Sequence, residues 1–369
     1  MAAAATIWTS RWTSRHGRPP RRRVTRHWRE DGAGDAAAAA EVGEDPGGPG
    51  RFCWEMQWYP VVPVSYLEGD AAALPMPMQV LGRRFEVHRD SDGAFTCLAE
   101  AHGDLASTHS SRPVAFPAQV AGGLLWVWPS ASPGARRLSE LRRPAAVPEL
   151  ASAEWTFQLQ PLSYESLVEN CLDPSHAPFL HEGLQGQGMS LQDPRNAVPM
   201  ESYRLDGAVS SAGFKLRHSP YSKGPNTVCV RHFRAPSMVD AIVEIPNVFT
   251  LRAVLYFVPV SPRETRVMFH FPGYEPTVPE WAQGLPVELQ GLVQDVLHAN
   301  FCAGDVGYWQ FNDQDRVAME GQDSSRWGRS REQVAVDIAP TPSDRGVAVF
   351  QGWIRARAGG GPFAGASRG

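Results

Sequence analysis

Glu169-Asn-Cys-Leu-Asp-Pro-Ser-His-Ala-Pro-Phe-Leu-His181 gathers two histidines and two acids within thirteen residues. Asp173 and His176 stand three apart, which on a helix places them on one face. His176 and His181 stand five apart, a spacing that a regular helix splays by about 140°. Pro178 lies between them and lacks a backbone donor, so a helix kinks or stops there. The second imidazole can then swing back toward the first. Two neutral imidazoles pointing into one space suit a first-row transition metal. A carboxylate as third ligand leaves positions open for small molecules. Without a metal, Asp173-Pro174 reads as a turn or helix-start signal followed by two histidines.

These residues need elements to hold them. Ser163 is a helix start, and Tyr164, Leu167, Val168, Cys171 and Leu172 behind it form one apolar stripe. A second acid-rich stretch, Asn312-Asp-Gln-Asp-Arg-Val-Ala-Met-Glu-Gly-Gln-Asp323, lies far downstream. Between the two, strands are expected at 209–216, 227–233, 241–245, 249–259 and 265–271. Each is apolar or alternating and bounded by Gly, Pro, Ser or Asn. A helical pattern from Pro286 to about Val306, with Leu289, Leu292, Val293, Val296 and Leu297 on one side, leads toward the acids.

The sequence resembles the catalytic domain of the Rieske-type non-haem iron oxygenases. The family's Asn-x2-Asp-x2-His-x4-His signature is matched by Asn170, Asp173, His176 and His181. The late-helix carboxylate of the family is matched best by Asp315, with Gln322 as the trailing Gln; Asp313 is the second choice. The segments Phe52–Pro63 and Thr341–Trp353 resemble the chloroplast branch that is like pheophorbide a oxygenase. The resemblance implies mononuclear Fe(II) held by His176, His181 and Asp315. It implies Asp173 as an electron bridge to a neighbouring subunit of a homotrimer, and Asn170 close to the iron. It implies a monooxygenase that uses a ferredoxin-type donor and O2 on a hydrophobic, chlorophyll-derived substrate of the pheophorbide a or chlorophyllide a type.

The front half reads as β structure, with strands at 58–65, 79–89, 94–98 and 122–129 and a hairpin turn at Asp90-Ser-Asp-Gly93. This resembles a Rieske domain, whose [2Fe–2S] cluster takes two Cys on one iron and two His on the other. The family supplies them on loops of Cys-x-His and Cys-x2-His. After Asp92–Glu100, where the first loop belongs, the chain runs through Ala101–His109 and resumes the match near Val114. Cys97, His102 and His109 offer a single thiolate, so no cluster ligands are assigned. Without a cluster the chain would bind Fe(II) yet fail to turn over with a ferredoxin. The alternatives are a cluster-less binder of a tetrapyrrole or other apolar ligand, or an inactive subunit of an oxygenase trimer.

The fold class expected is α+β. Residues 1–50 are a transit-peptide-like segment and linker, and 51–135 a truncated Rieske-like β domain. Residues 136–154 form an Arg/Pro-rich connection. The resemblance implies that residues 155–358 form a catalytic domain of antiparallel sheet wrapped around a long helix, a START-like helix grip; 359–369 are expected as a disordered tail. The first 29 residues carry eight Arg and no acid, the composition of an organelle transit peptide; the resemblance to the chloroplast branch implies that the organelle is the chloroplast. Hydrophobic content of 43% and charged content of 20% suit a globular chain. A net charge of −4 makes no case for nucleic acid. Five scattered cysteines indicate neither a disulfide framework nor structural zinc. No apolar run approaches the roughly 18–20 residues of a membrane span.

Overall fold

The computed structural model describes residues 52–68, 74–100, 114–153, 155–174, 176, 203–218, 228–245, 249–270, 282, 284–290, 293, 315–316, 319–320 and 344–364. His181 and Asp313 lie outside them, as do residues 1–50 and most of the helix expected over 286–306; 287–290 are helical.

The front of the chain makes two small antiparallel sheets. One joins β1 (Tyr59–Pro63), β7 (Leu124–Val127) and β6 (Ala118–Ala121) in that order. The other runs β2 (Met76–Val80), β3 (Arg83–Arg89), β4 (Phe95–Ala99), β5 (Ala115–Phe116). The stretch expected as one strand over 79–89 is a hairpin instead. Leu81 (φ 52°) and Gly82 (φ 76°) form a tight turn between β2 and β3. Two left-handed residues in a row match the natural twist of paired strands, and Gly82 takes that conformation without steric cost. The Asp90–Gly93 turn joins β3 to β4 as expected, with Gly93 N–H donating to the Asp90 carbonyl at 2.9 Å. The expected connection contains a helix, α1 (Pro133–Leu141). Ser132 caps it, accepting from Ala135 N–H at 3.2 Å, and Pro133 opens it.

A seven-stranded antiparallel sheet dominates the rest. It comprises β8 (Thr156–Gln160), β9 (Arg204–Leu205), β10 (Gly213–His218), β11 (Val228–Arg234), β12 (Met238–Ile245), β13 (Phe249–Ser261) and β14 (Glu264–His270). The order is β8-β14-β13-β12-β11-β10-β9. The chain enters at one edge, crosses through α2 (Tyr164–Leu172), and returns as a meander that ends beside its starting strand.

Both faces of this sheet are buried, which is why its strands read as nearly continuous apolar runs. Met238, Val254, Tyr256, Val258 and Met268 share one core with Trp126 of the front region and with Trp155. The alternate residues Phe214, Leu216, Phe233, Val239, Phe257 and Val267 share the other core with α2 and with α3 (Arg345–Ala356). Strand periodicity of two requires this split. The Leu81–Gly82 turn also docks here, its two N–H groups donating to the Pro259 and Val260 carbonyls at 2.8 Å. Aromatic side chains lock the helical face: Phe233 meets Phe350 at 5.3 Å and Trp353 at 4.9 Å. Burying each such ring contributes about 1.5–3 kcal/mol.

Candidate metal centre

The candidate centre is built at the end of α2. Ser163 caps the helix as expected, its Oγ accepting from Ser166 N–H at 3.3 Å. Leu167, Val168 and Leu172 are buried, and so is Glu169, whose Oε1 accepts from Gln351 Nε2 of α3. The helix ends at Leu172, six residues before Pro178, the proline that was expected to stop it. Asp173 precedes Pro174, and the proline ring disfavours helical backbone in the residue before it. Asp173 accordingly turns extended (φ −97°, ψ 98°). Asp173 and His176 therefore do not share a helix face.

The turn brings His176 back on itself. Its Nδ1 bonds the Asp173 carbonyl. A carbonyl only accepts, so Nδ1 carries the proton and Nε2 presents a lone pair. That nitrogen stands 3.6 Å from Oδ1 of Asp315. The Asn170 side chain hydrogen-bonds Asp315 from the last turn of α2. The structure thus groups Asn170, His176 and Asp315, with Asp173 supplying the carbonyl that orients the histidine.

Burial sets the charges. His176 is 14% exposed at its side chain and Asp315 8%. Burial pushes His176 down to about 4, helped by the Arg231 charge and opposed by the Asp173 hydrogen bond. Burial pushes Asp315 up to about 7, opposed by the Asn170 bond. The imidazole is therefore neutral near pH 7, the form a metal needs.

The donor set fits a transition metal. A lone pair on nitrogen and a carboxylate oxygen face each other at a distance too long for a hydrogen bond. Two donors each about 2.1 Å from one metal ion lie roughly 3–3.5 Å apart, close to the spacing seen. A ligating histidine whose other nitrogen donates to a backbone carbonyl is the usual arrangement. Among the described residues no three His, Cys, Asp or Glu side chains form a metal-holding group.

A [2Fe–2S] cluster does not fit the residues described. Cys97 is inside β4, fully buried, and burial pushes its thiol up to about 12. The chain does hold one Cys-x2-His spacing, Cys229-Val-Arg-His232. It lies on β11, where residues an odd number apart face opposite sides of the sheet. Cys229 is buried, and His232 Nδ1 accepts from Arg234 Nε at 3.2 Å. Neither belongs to a cluster loop.

α3 closes over the end of α2. Gly346 packs so tightly that a methyl group there would collide with the Tyr203 hydroxyl and the Leu172 carbonyl. On an open helix, Gly→Ala gains about 0.5–1 kcal/mol. Here the clash outweighs that gain, and Gly346→Ala is expected to cost about 1–3 kcal/mol. Urea denaturation reads the sign; a more stable variant would disprove the close packing.

No family model matches the chain. It is 26% identical over 207 residues to flavonoid 8-hydroxylase 2 of Ocimum basilicum, covering 48% of this chain and 38% of that protein. It is 23% identical over 402 residues to pheophorbide a oxygenase of Arabidopsis thaliana, covering 87% of this chain and 68% of that protein. The chain thus spans little more than a third of the first relative's length. All the named relatives are chloroplastic. Among solved structures, dicamba monooxygenase bound to dicamba superimposes with a TM-score of 0.52 at 14% identity, covering 82% of this chain and 97% of that one. The chain is similar in sequence to pheophorbide a oxygenase and other chloroplast proteins, and its fold is that of the Rieske-type oxygenases.

Proposed function

We propose that this chain is a chloroplast non-haem iron protein of Rieske-oxygenase type. Its mononuclear Fe(II) is held by His176, His181 and Asp315, with Asp313 the other candidate for the carboxylate. The observation that carries the reading is the buried meeting of His176 Nε2 and Asp315 Oδ1 at 3.6 Å, from segments far apart in the chain. Bound there, Fe(II) would supply O2 activation at its open positions.

The residues divide the work. The Asp173 carbonyl holds the imidazole with Nε2 forward, and Asn170 steadies the Asp315 carboxylate. Leu172, next to Asp173, and Met319, four residues after Asp315, are both buried. The Asp173 side chain is proposed to face a neighbouring subunit of a homotrimer. Residues 155–358 would form the catalytic domain and 51–135 a Rieske-like remnant. The substrate class is a hydrophobic, chlorophyll-derived macrocycle, supported by the similarity to pheophorbide a oxygenase.

Electron supply favours a second reading. A ferredoxin-driven oxygenase needs a cluster beside its iron, and the residues above do not fit one. The chain would then keep the iron as a tetrapyrrole-binding protein or as a subunit without turnover of its own. Anaerobic loading with Fe(II) tests the iron reading: about one ion per chain is expected for a three-ligand site. A chain that stays empty ends it. EPR of the reduced protein tests the second reading, since a Rieske signal would show that cluster ligands exist.

A further inference from the structure

An α-helix leaves its last carbonyls without intrahelical donors. At the end of α2 two of these are met by side chains from elsewhere in the fold. Arg231 Nη1, from β11, donates to the Cys171 carbonyl at 2.5 Å. Tyr203 Oη, just before β9, donates to the Leu172 carbonyl at 2.5 Å. Arg231 is 8% exposed and Tyr203 fully buried. The next carbonyl along the chain is that of Asp173, which bonds His176 Nδ1.

We propose that Arg231 and Tyr203 are positioning residues of the metal centre: by gripping the Cys171 and Leu172 carbonyls they set where Asp173 presents its own, and so aim His176 Nε2 at Asp315. The inference rests on the metal-binding reading given above.

The strand explains how an arginine comes to be there. Cys229, Arg231 and Phe233 alternate on the face of β11 that packs against the helices. Arg231 stands opposite Leu216 on β10 and Ala241 on β12. It is a cation in an otherwise apolar row, and burying a guanidinium is costly unless it is hydrogen-bonded. The negative end of the α2 dipole answers that cost. Arginine is the suitable residue, because its planar fork gives more than one fixed donor direction. Tyr203 adds a second fixed point one carbonyl further on. The Leu172 carbonyl and the Asp173 N–H belong to one planar peptide unit; with the N–H bonded to the Glu169 carbonyl at 2.9 Å, Tyr203 holds the other side of the plane from which the Asp173 carbonyl projects. Tyr203 is itself held, with its carbonyl accepting from Arg345 Nη1 at 3.1 Å and its ring packed edge-on to His218 at 5.3 Å. The start of α3 and the end of α2 are therefore tied through one residue, by its backbone carbonyl on one side and its hydroxyl on the other.

The test uses the full chain and Co(II), whose visible bands report coordination geometry. Wild type, Tyr203→Phe, Arg231→Met and Arg231→Lys are titrated anaerobically. Tyr203→Phe and Arg231→Met are expected to bind Co(II) about 10–100-fold more weakly, the usual effect of losing an outer-shell partner, with altered bands. Arg231→Lys, which can still reach the Cys171 carbonyl, is expected to recover most of the affinity. Should Arg231→Met not fold, Tyr203→Phe, which removes one hydroxyl and keeps the ring, decides alone. Variants that match wild type in affinity and bands overturn the positioning role while leaving the metal site standing. A wild-type chain that binds no Co(II) overturns both.

Discussion

Replacing His176 with alanine takes bound Fe(II) from about one per chain to background, as expected when one of three protein ligands is lost. The same outcome is expected for His181→Ala. Asp315→Asn is the more informative change. It preserves shape and its bond to Asn170, yet removes the charge, and the affinity for Fe(II) is expected to fall more than about a hundredfold, beyond the outer-shell effect. Iron analysis after desalting reads all three. The order of effects follows from the geometry: His176 and Asp315 face each other across 3.6 Å, and each is held from behind by its own hydrogen bond. If iron per chain were unchanged in His176→Ala, the centre would be elsewhere. If only Asp315→Asn retained iron, Asp313 would take its place as the carboxylate.

The second large effect is on stability, on the opposite face of the same sheet. Arg252 of β13 bonds both carboxylate oxygens of Asp240 on β12, each at 2.9 Å. The Asp240 side chain is 8% exposed and that of Arg252 24%. Arg252→Met leaves a buried carboxylate without its counter-charge, and a loss of about 3 kcal/mol is expected by urea denaturation. The pair itself contributes far less than that figure, because both charges were taken out of water to make it. Asp240→Leu combined with Arg252→Met is therefore expected to recover most of the loss. A double variant as unstable as the single one would mean that packing around Arg252, rather than the stranded charge, sets the cost. Iron binding is expected to survive in the double variant, since the metal centre lies on the other face.

Much of the local structure was legible. Ser163 as a helix start and the strands of the meander follow from capping chemistry and period-two patterning, and both act over a few residues. The grouping of Asn170, His176 and Asp315 was expected from a resemblance to a family, not from spacing. Spacing alone mistook the way the histidine is presented. It put Asp173 and His176 on one helix face, where the constraint of Pro174 on the residue before it ends the helix first. Gly82 was likewise read through as strand, although a two-residue hairpin needs only one tolerant glycine and a neighbour willing to turn left-handed. The helix at Pro133–Leu141 was hidden inside an Arg/Pro-rich composition, although Ser132-Pro133 is a start signal.

By itself the sequence determined which residues can cap, turn, alternate and ligate, because those properties belong to single side chains and their near neighbours. The donors that satisfy the last carbonyls of α2, the fate of the Cys229–His232 spacing, and the burial that shifts His176 and Asp315 in opposite directions were decided only by tertiary structure. Each depends on which face of the sheet a residue takes and on what another segment, up to a hundred or more positions away, brings against it. A side chain's solvation and its hydrogen-bond partners are set by that packing, and no local pattern carries them.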